Sequence, residues 1–287
     1  MLKANFHTHT NLCDGKNSPE EVAEHAALLG MSQLGFSGHM DPDISMDFDE
    51  YERRVRAIQK QYRGKMDVLL GVELDTMYDP EIGKRAEYVI GSTHFPDVEC
   101  NRGYRDVCRK GWTKPEERQI SVDASPESMQ FLADTYFGGD YYKLAKNYFE
   151  TEAQVFDRLH CTFVGHFDLV VRFNDQMHFL DESDRRYTGP ALMAMEYLVS
   201  EGVPFEINCG AVNRGRKKDF YPNTYLLKKL REMGGEILIN SDAHQKELLL
   251  GAFDQAAEKA VSCGFTHTNI LRHGKDGKVE MVQIPLE

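Results

Sequence analysis

The sequence predicts an α/β fold built on a parallel sheet or barrel, and three observations predict it. Short apolar runs alternate with longer helical patterns along most of the chain. Seven such β-then-α units can be counted, one short of the eight of a standard barrel. The run Val68–Leu74 is apolar but for Glu73, as expected for a strand covered on both faces.

The elements follow in order. Ala4–His9 reads as a strand. Ser18-Pro19-Glu20-Glu21 then opens a helix: Ser18 supplies the cap, Pro19 suits the first turn and Glu21 completes a capping box. Ala23, Ala26 and Ala27 give that helix a small-residue face, and Gly30 stops it. Gln33–Gly38 reads as a second strand and Glu50–Tyr62 as a second helix. Val68–Leu74, Tyr88–Thr93, Phe163–His166, Pro204–Asn208 and Glu236–Asn240 supply the remaining strands. Helical patterns near 141–159, 188–201, 222–233 and 246–263 lie between and after them. Phe265–Leu271 and Val279–Ile284 are expected to pair as a terminal hairpin through Asp276-Gly277. Residues 96–140 break the rhythm with Pro96, Pro115, Pro126, Gly138 and Gly139 and many charges. The segment is too long for a plain βα loop and leaves the strand ending in His94, so it reads as a lid-like insertion within a single domain spanning 1–287. The aromatic-rich stretch Tyr136, Phe137, Tyr141, Tyr142, Tyr148 and Phe149 reads as core or lid packing.

Composition bounds the partners. Hydrophobic residues make up 41% and charged residues 28%, the balance of a soluble globular protein, and the formal net charge is −12. An acidic excess without a basic stripe argues against long nucleic acids, whose phosphates draw on Lys and Arg. It does not exclude a small phosphorylated substrate, because metal ions can supply positive charge locally. The six cysteines (Cys13, Cys100, Cys108, Cys161, Cys209, Cys263) form no CxxC pair and read as reduced thiols. The chain shows no signal-type run and no stretch long enough to span a membrane, so the expected location is cytoplasmic. The helices say nothing firm about oligomeric state.

The chemistry sits at the strand ends. Six of the eleven histidines follow apolar runs: His7, His9, His39, His94, His166 and His244. Glu73 and Asp242 occupy matching positions, and Asp14 follows the first strand closely. In a parallel barrel the C-terminal ends of all strands meet on one face, so residues distant in sequence converge. His7 and His9 are two apart, as are Asp242 and His244, so each pair points one way along an extended chain. A lone strand histidine is more often a satisfied core or surface residue than a ligand, HxH alone is a weak signal, and SDAH alone could be a capped helix start. Six histidines falling independently at strand ends is improbable. Imidazoles and carboxylates without thiolate suit zinc, manganese or iron. Eight or nine donors exceed what one ion takes, which implies two or three divalent ions with Glu73 as a bridge. Such a cluster activates water and clamps a phosphoryl group during in-line attack.

His7-Thr8-His9-Thr10, Ser37-Gly38-His39, Gly71-Val72-Glu73, Ser92-Thr93-His94, Gly165-His166 and Ser241-Asp242-Ala243-His244 together resemble the PHP (polymerase and histidinol phosphatase) superfamily. Within it, Gly165-His166-Phe167-Asp168-Leu169 and Asn208-Cys209-Gly210 followed by Arg214 are most similar to the bacterial-type histidinol-phosphate phosphatases. The resemblance implies a distorted seven-stranded (β/α)7 TIM-like barrel and a trinuclear site. His7, His9, Glu73 and Asp242 would hold the first metal. Glu73 would bridge to a second, bound also by His94 and His166. His39 and His244 would hold a third. Where some relatives place a further histidine after HxH, the nearest candidate here is Asp14. The implied reaction is hydrolysis of L-histidinol phosphate to L-histidinol and phosphate by a metal-bridged hydroxide. Arg172 and Arg214 are the candidates for the phosphate oxygens, and Asp168 is a candidate donor of the proton to the leaving alkoxide. An acidic pocket would suit the ammonium and imidazole of histidinol, with Asp97, Glu99, Asp106, Glu116 and Glu117 available in the insertion. The competing readings are another phosphoesterase on the same scaffold, acting on nucleotides or small phosphate esters, and a non-catalytic metal-binding module. An amidohydrolase is a weaker rival, because neither a lysine bridge nor an eighth unit is found.

Overall fold

The computed structural model describes residues 2–44, 46–102 and 119–286. Its centre is a nearly closed barrel of seven parallel staves wrapped by helices. The strands are β1 (Ala4–Asn5), β2 (Gln33–Phe36), β3 (His39–Met40), β4 (Asp67–Asp75), β5 (Tyr88–Ser92), β6 (Phe163–Val164), β7 (Phe205–Asn208) and β8 (Ile237–Asn240). Their spatial order is β1-β2-β4-β5-β6-β7-β8, with β3 on β4. β2 pairs with the first half of β4, Gln33 opposite Asp67, and β3 with the second half, His39 opposite Glu73. They are therefore one stave interrupted at Ser37-Gly38. Between β8 and β1 the barrel closes through a single parallel bridge, Thr8 to Ala243. Side chains finish the seam: Phe6 N–H donates to Asn240 Oδ1 (2.8 Å), and Ser241 N–H donates to Asn5 Oδ1 (3.0 Å).

The barrel interior is apolar over its lower part. Ala4, Phe6, Leu69, Tyr88, Ile90, Phe163 and Leu238 point inward and are buried, together with Leu271. Tyr88 is the keystone. Its ring fills the space left by Gly71 and Gly35, where an added Cβ would meet the Tyr88 ring or hydroxyl at 2.1 and 2.3 Å. Its hydroxyl lies 2.7 Å from the Phe6 carbonyl and 2.9 Å from the Phe36 carbonyl. A terminal hairpin, β9 (His267–His273) against β10 (Val279–Pro285), crosses the N-terminal end of the barrel. Leu271 is its plug. His273 ties the hairpin to the rim: Nδ1 lies 2.6 Å from Asp67 Oδ1 and Nε2 lies 3.2 Å from Glu87 Oε1.

The helices bury one stripe each. In Phe48–Tyr62, Phe48, Tyr51, Val55 and Ile58 face the barrel at helical spacing, and the Asp47 side chain caps the first turn. The Ser18 capping box forms as the sequence predicts, opening Pro19–Leu28.

Several expected boundaries move. The first strand ends at Asn5 rather than His9, because beyond it the chain leaves the ladder and is held by the Thr8 bridge. The pattern at 141–159 is two helices, Tyr141–Glu152 and Val155–Leu159. The pattern at 246–263 is a 3-10 turn, Lys246–Leu248, followed by the helix Phe253–Ser262. Within the 96–140 segment, Glu99–Arg102 and Pro126–Phe137 are helical, and residues 103–118, with Asp106, Cys108, Glu116 and Glu117, lie outside the described residues. Tyr148 and Phe149 are core residues, and Tyr136, Phe137, Tyr141 and Tyr142 pack against that core. Cys13, Cys100, Cys161, Cys209 and Cys263 are free thiols. No helix among the described residues is long and apolar enough to cross a membrane.

Candidate metal centre

Glu73 sits at the C-terminal end of β4, 1% exposed, at the bottom of a cavity of about 480 Å³. Five imidazoles converge on it. His7 Nε2 lies 3.0 Å and His9 Nε2 3.3 Å from Oε2, with His39 Nδ1 at 3.2 Å. His166 Nε2 lies 2.8 Å and His94 Nε2 3.4 Å from Oε1. Each ring comes from a different stave end, except that His7 and His9 share one. Ser92 Oγ donates to Glu73 Oε1 at 2.8 Å.

Asp242 faces the same point across the seam, 3.4 Å from His9 Nε2 and 3.9 Å from His7 Nε2. It takes a positive φ of 48°, sparsely populated for a residue with a Cβ. The extended Asp242–His244 geometry expected from spacing is therefore replaced by a left-handed turn just past β8. Even so, His244 Nδ1 lies 3.3 Å from Asp242 Oδ1, and His244 Nε2 lies 2.8 Å from Asp14 Oδ2. Asp14 also lies 3.5 Å from His9 Nδ1 and 3.8 Å from His39 Nε2. The donor atoms fall into four groups within 4.8 Å of one another: His9-Asp14-His39-His244, His7-His9-Asp242, His7-Glu73-His166 and His39-Glu73-His94. Every histidine and carboxylate predicted from the sequence as a ligand is in one of them.

The electrostatics suit a divalent cation. His9 is stacked on His39 and His244, with ring centroids 4.3 and 4.1 Å apart. Burial, then the charges of His244 and His39, push His9 down to about 3. Burial would lower His39 as well, but Glu73, Asp41 and Asp14 outweigh it and carry His39 up to about 10. Burial would raise Glu73 and Asp242. The charges of His39 and His7 hold Glu73 far below the usual carboxylate range, and Arg214 and His7 do the same for Asp242. Rings packed this closely cannot all carry protons. His9 Nε2, His39 Nδ1 and His166 Nδ1 are buried without a hydrogen-bond partner, although the first two stand within ion-pair distance of carboxylates. Neutral imidazole lone pairs and ionised carboxylates crowded around one point are the donor set of a hard-to-borderline divalent metal.

The pocket wall carries Arg172, Arg214, Arg216 and Lys16 beside Asp41, Asp43 and Asp123. Both predicted arginines reach it. Arg214 Nη2 lies 3.1 Å from Asp242 Oδ2, and Arg172 Nη1 lies 3.0 Å from Asp123 Oδ2. Arg216 was not anticipated. Its guanidinium is lowered by burial and by the neighbouring Arg172 and Arg214 charges. Among the acidic residues expected in the insertion, Asp97 instead pairs with Arg102 at 2.6 Å on an outer groove. Among the described residues of that segment, Ser121, Asp123 and Ala124 line the pocket.

Asp168, the candidate proton donor, is not among the residues that line the pocket. It is 0% exposed and lies behind the pocket. Its Oδ2 accepts from the Asn223 backbone N–H (3.1 Å) and the Tyr187 hydroxyl (3.2 Å). Burial pushes it up to about 7 against the pull of Lys217. His166 takes a φ of 20°, and the turn this makes carries Phe167 and Asp168 into the packing under the helix Arg185–Ser200.

Three buried carboxylates missed by sequence reading contact the histidines. Glu206 Oε1 lies 2.8 Å from His7 Nδ1, Asp75 Oδ2 lies 3.2 Å from His94 Nδ1, and Asp41 Oδ2 lies 3.2 Å from His39 Nδ1. The signal for Asp75 was its place two residues after Glu73, on the same face of β4. For Glu206 it was a charge inside the run Phe205-Glu206-Ile207-Asn208.

Residues 5–210 match the model of the PHP domain family. A curated relative named "Probable histidinol-phosphatase" from Schizosaccharomyces pombe is 25% identical, covering 92% of this chain and 87% of its own length. One of the same name from Deinococcus radiodurans is 28% identical, covering 94% and 96%. The crystal structure of histidinol phosphate phosphatase from Lactococcus lactis, complexed with Zn, L-histidinol and phosphate, has the same fold, with a TM-score of 0.68 at 19% identity over 98% of this chain and 100% of that one. With the family model covering well over half of its length, the chain belongs to the PHP domain family.

Proposed function

We propose that this chain is a metal-dependent phosphoric monoester hydrolase that converts L-histidinol phosphate to L-histidinol and phosphate. The observation that carries the reading is Glu73 ringed by five imidazoles at 2.8 to 3.4 Å, at the floor of a pocket whose wall holds three arginines. The relatives named for this activity cover nearly the whole chain.

In this reading His7, His9, Asp242 and Glu73 hold one divalent ion, and Glu73, His94 and His166 hold a second. His39, His244 and Asp14 hold a third. Zinc, manganese and iron all suit these donors. Bound divalent ions supply Lewis-acid charge and lower the pKa of water to near neutrality. The protein's own groups do the rest. Arg172, Arg214 and Arg216 present fork-shaped donors to the phosphate oxygens. Arg172 and Arg214 are pre-aimed by Asp123 and Asp242. Asp43 and Asp123 put negative charge on the wall that meets the cationic histidinol part. Ser121, Asp123 and Ala124 of the insertion form part of that wall, which supports a lid-like role for the segment.

The test is phosphate release from L-histidinol phosphate by the purified protein, after chelation and re-addition of Mn²⁺, Zn²⁺ or Fe²⁺. Metal-dependent turnover with nucleoside monophosphates much poorer is the expected result. Faster turnover of the nucleotides would move the assignment to another phosphate ester. Absence of turnover with every metal would leave a metal-binding module.

A further inference from the structure

Glu206 lies outside the set of donors that converge on the metal centre, yet it touches two of them. The carboxylate is fully buried on β7. Its Oε1 lies 2.8 Å from His7 Nδ1. Its Oε2 accepts the backbone N–H of His166 at 3.0 Å and the side-chain N–H of Asn208 at 2.8 Å. These partners ask different things of it. His7 needs a fixed proton: with Nδ1–H held by Glu206, Nε2 is the nitrogen turned toward Glu73 and Asp242. His166 needs a fixed backbone: its φ of 20° is unfavourable for a residue with a Cβ, and a strained turn persists only when its surroundings over-determine it.

We infer that Glu206 is a positioning residue that sets the His7 tautomer with one oxygen and pins the strained His166 turn with the other, so that one buried carboxylate aligns ligands of two metal sites. The inference rests on reading His7 and His166 as metal ligands. It also explains why a charge sits inside an apolar strand. All three groups facing Glu206 are donors, so a carboxylate, acceptor at both oxygens, satisfies them and an amide does not. In Glu206→Gln the NH₂ must turn either toward His7, forcing its proton onto Nε2, or toward the His166 N–H and Asn208 NH₂, donor against donor.

The measurement is the affinity for Zn²⁺ and Mn²⁺, by competition with a chromophoric chelator, for wild type and Glu206→Gln. Partners that orient metal-bound histidines are worth about 10- to 100-fold in affinity, and a loss of that size is expected. The thermal midpoint of the metal-free variant controls for folding. Affinity within about twofold of wild type in a folded variant overturns the inference, on the same scale. A second readout needs no variant. The ¹⁵N shifts of His7 in the zinc-loaded wild-type protein should show Nδ1 protonated and Nε2 bound, and the opposite tautomer overturns the inference. If wild type binds neither metal, the ligand reading fails. If wild type binds and Glu206→Gln binds equally, only the role of Glu206 fails.

Discussion

The two ends of the barrel are made from the same strands and do opposite things. At the N-terminal end the inward positions are Leu69, Tyr88, Phe163 and Leu238, buried in one apolar cluster with Leu271 of the hairpin. At the C-terminal end, four residues further along β4 and β5, the inward positions are Glu73 and Ser92, and the stave ends contribute six imidazoles. The lower layers bury apolar area and stabilise the fold. The upper layers crowd groups that repel or desolvate one another, an arrangement that costs stability and suits a cation. Two of the non-glycine residues with positive φ, His166 and Asp242, are at the mouth.

Substitutions at the two ends should therefore separate activity from stability. The largest effect belongs to Glu73→Gln. It removes the carboxylate on which five histidines converge, and should lower kcat/KM for L-histidinol phosphate by roughly 10³-fold, about 4 kcal/mol of barrier. Far-UV circular dichroism should stay native. At the other end, Gly71→Ala places a methyl 2.1 Å from the Tyr88 ring. It should cost about 1–3 kcal/mol of unfolding free energy, read by urea titration. The metal-binding isotherm of the folded fraction should be unchanged.

Smaller effects grade the pocket wall. Arg216 has no carboxylate within ion-pair distance among the described residues, whereas Arg214 is held by Asp242. Arg216→Ala should raise KM for the phosphate ester about tenfold, the order of one charge-assisted hydrogen bond, with a smaller change in kcat. Arg214→Ala should raise KM and also weaken metal binding, because it frees Asp242. Unchanged kinetics in either variant removes that arginine from the phosphate site.

The smallest effect is at the hairpin. His273 contacts a carboxylate with each ring nitrogen, so both contacts are donated only by the imidazolium. Burial alone would lower it, but Asp67 and Glu87 outweigh burial and raise it above its ordinary value. A raised histidine pKa contributes stability that is complete below the unfolded pKa, about 6.5, and lost as pH rises through the folded value. His273→Gln should then lower stability by under about 1 kcal/mol at pH 5.5, consistent with a part-exposed pair. The gap should close in alkaline solution, and a gap that widens with pH would contradict the assignment.

What the sequence made legible follows from this division. Each predicted ligand except Asp14 lies at or near the end of an apolar run, and in a parallel barrel that position alone fixes convergence, so His94 and His166 could be placed without knowing any loop. The role of Glu206 could not be read because its partner is an imidazole nitrogen on another stave, whereas Asp41 lies only two residues past its partner His39 and was passed over for want of an apolar run before it. Asp168 was a candidate only through the Gly165-His166-Phe167-Asp168-Leu169 resemblance, and the turn at His166 that carries it into the packing under the helix Arg185–Ser200 has no local signature in the sequence. The first strand was drawn too long for a related reason. The chain from Phe6 to His9 carries strand-like residues but leaves the ladder at the seam, where Asn5 and Asn240 side chains replace backbone pairing. Asp123 lies in an insertion with no periodicity to say which residues turn inward.

The central claim is that the mouth of this barrel is built to hold a cluster of divalent ions around Glu73. The most direct measurement is the metal content of the chelated protein after re-equilibration with Zn²⁺ or Mn²⁺ and removal of free ion, by elemental analysis, for wild type and Glu73→Gln. The donor groups predict at least two ions per chain in wild type and a loss of one or more in the variant. No retained metal in wild type, or the same content in both proteins, would contradict it.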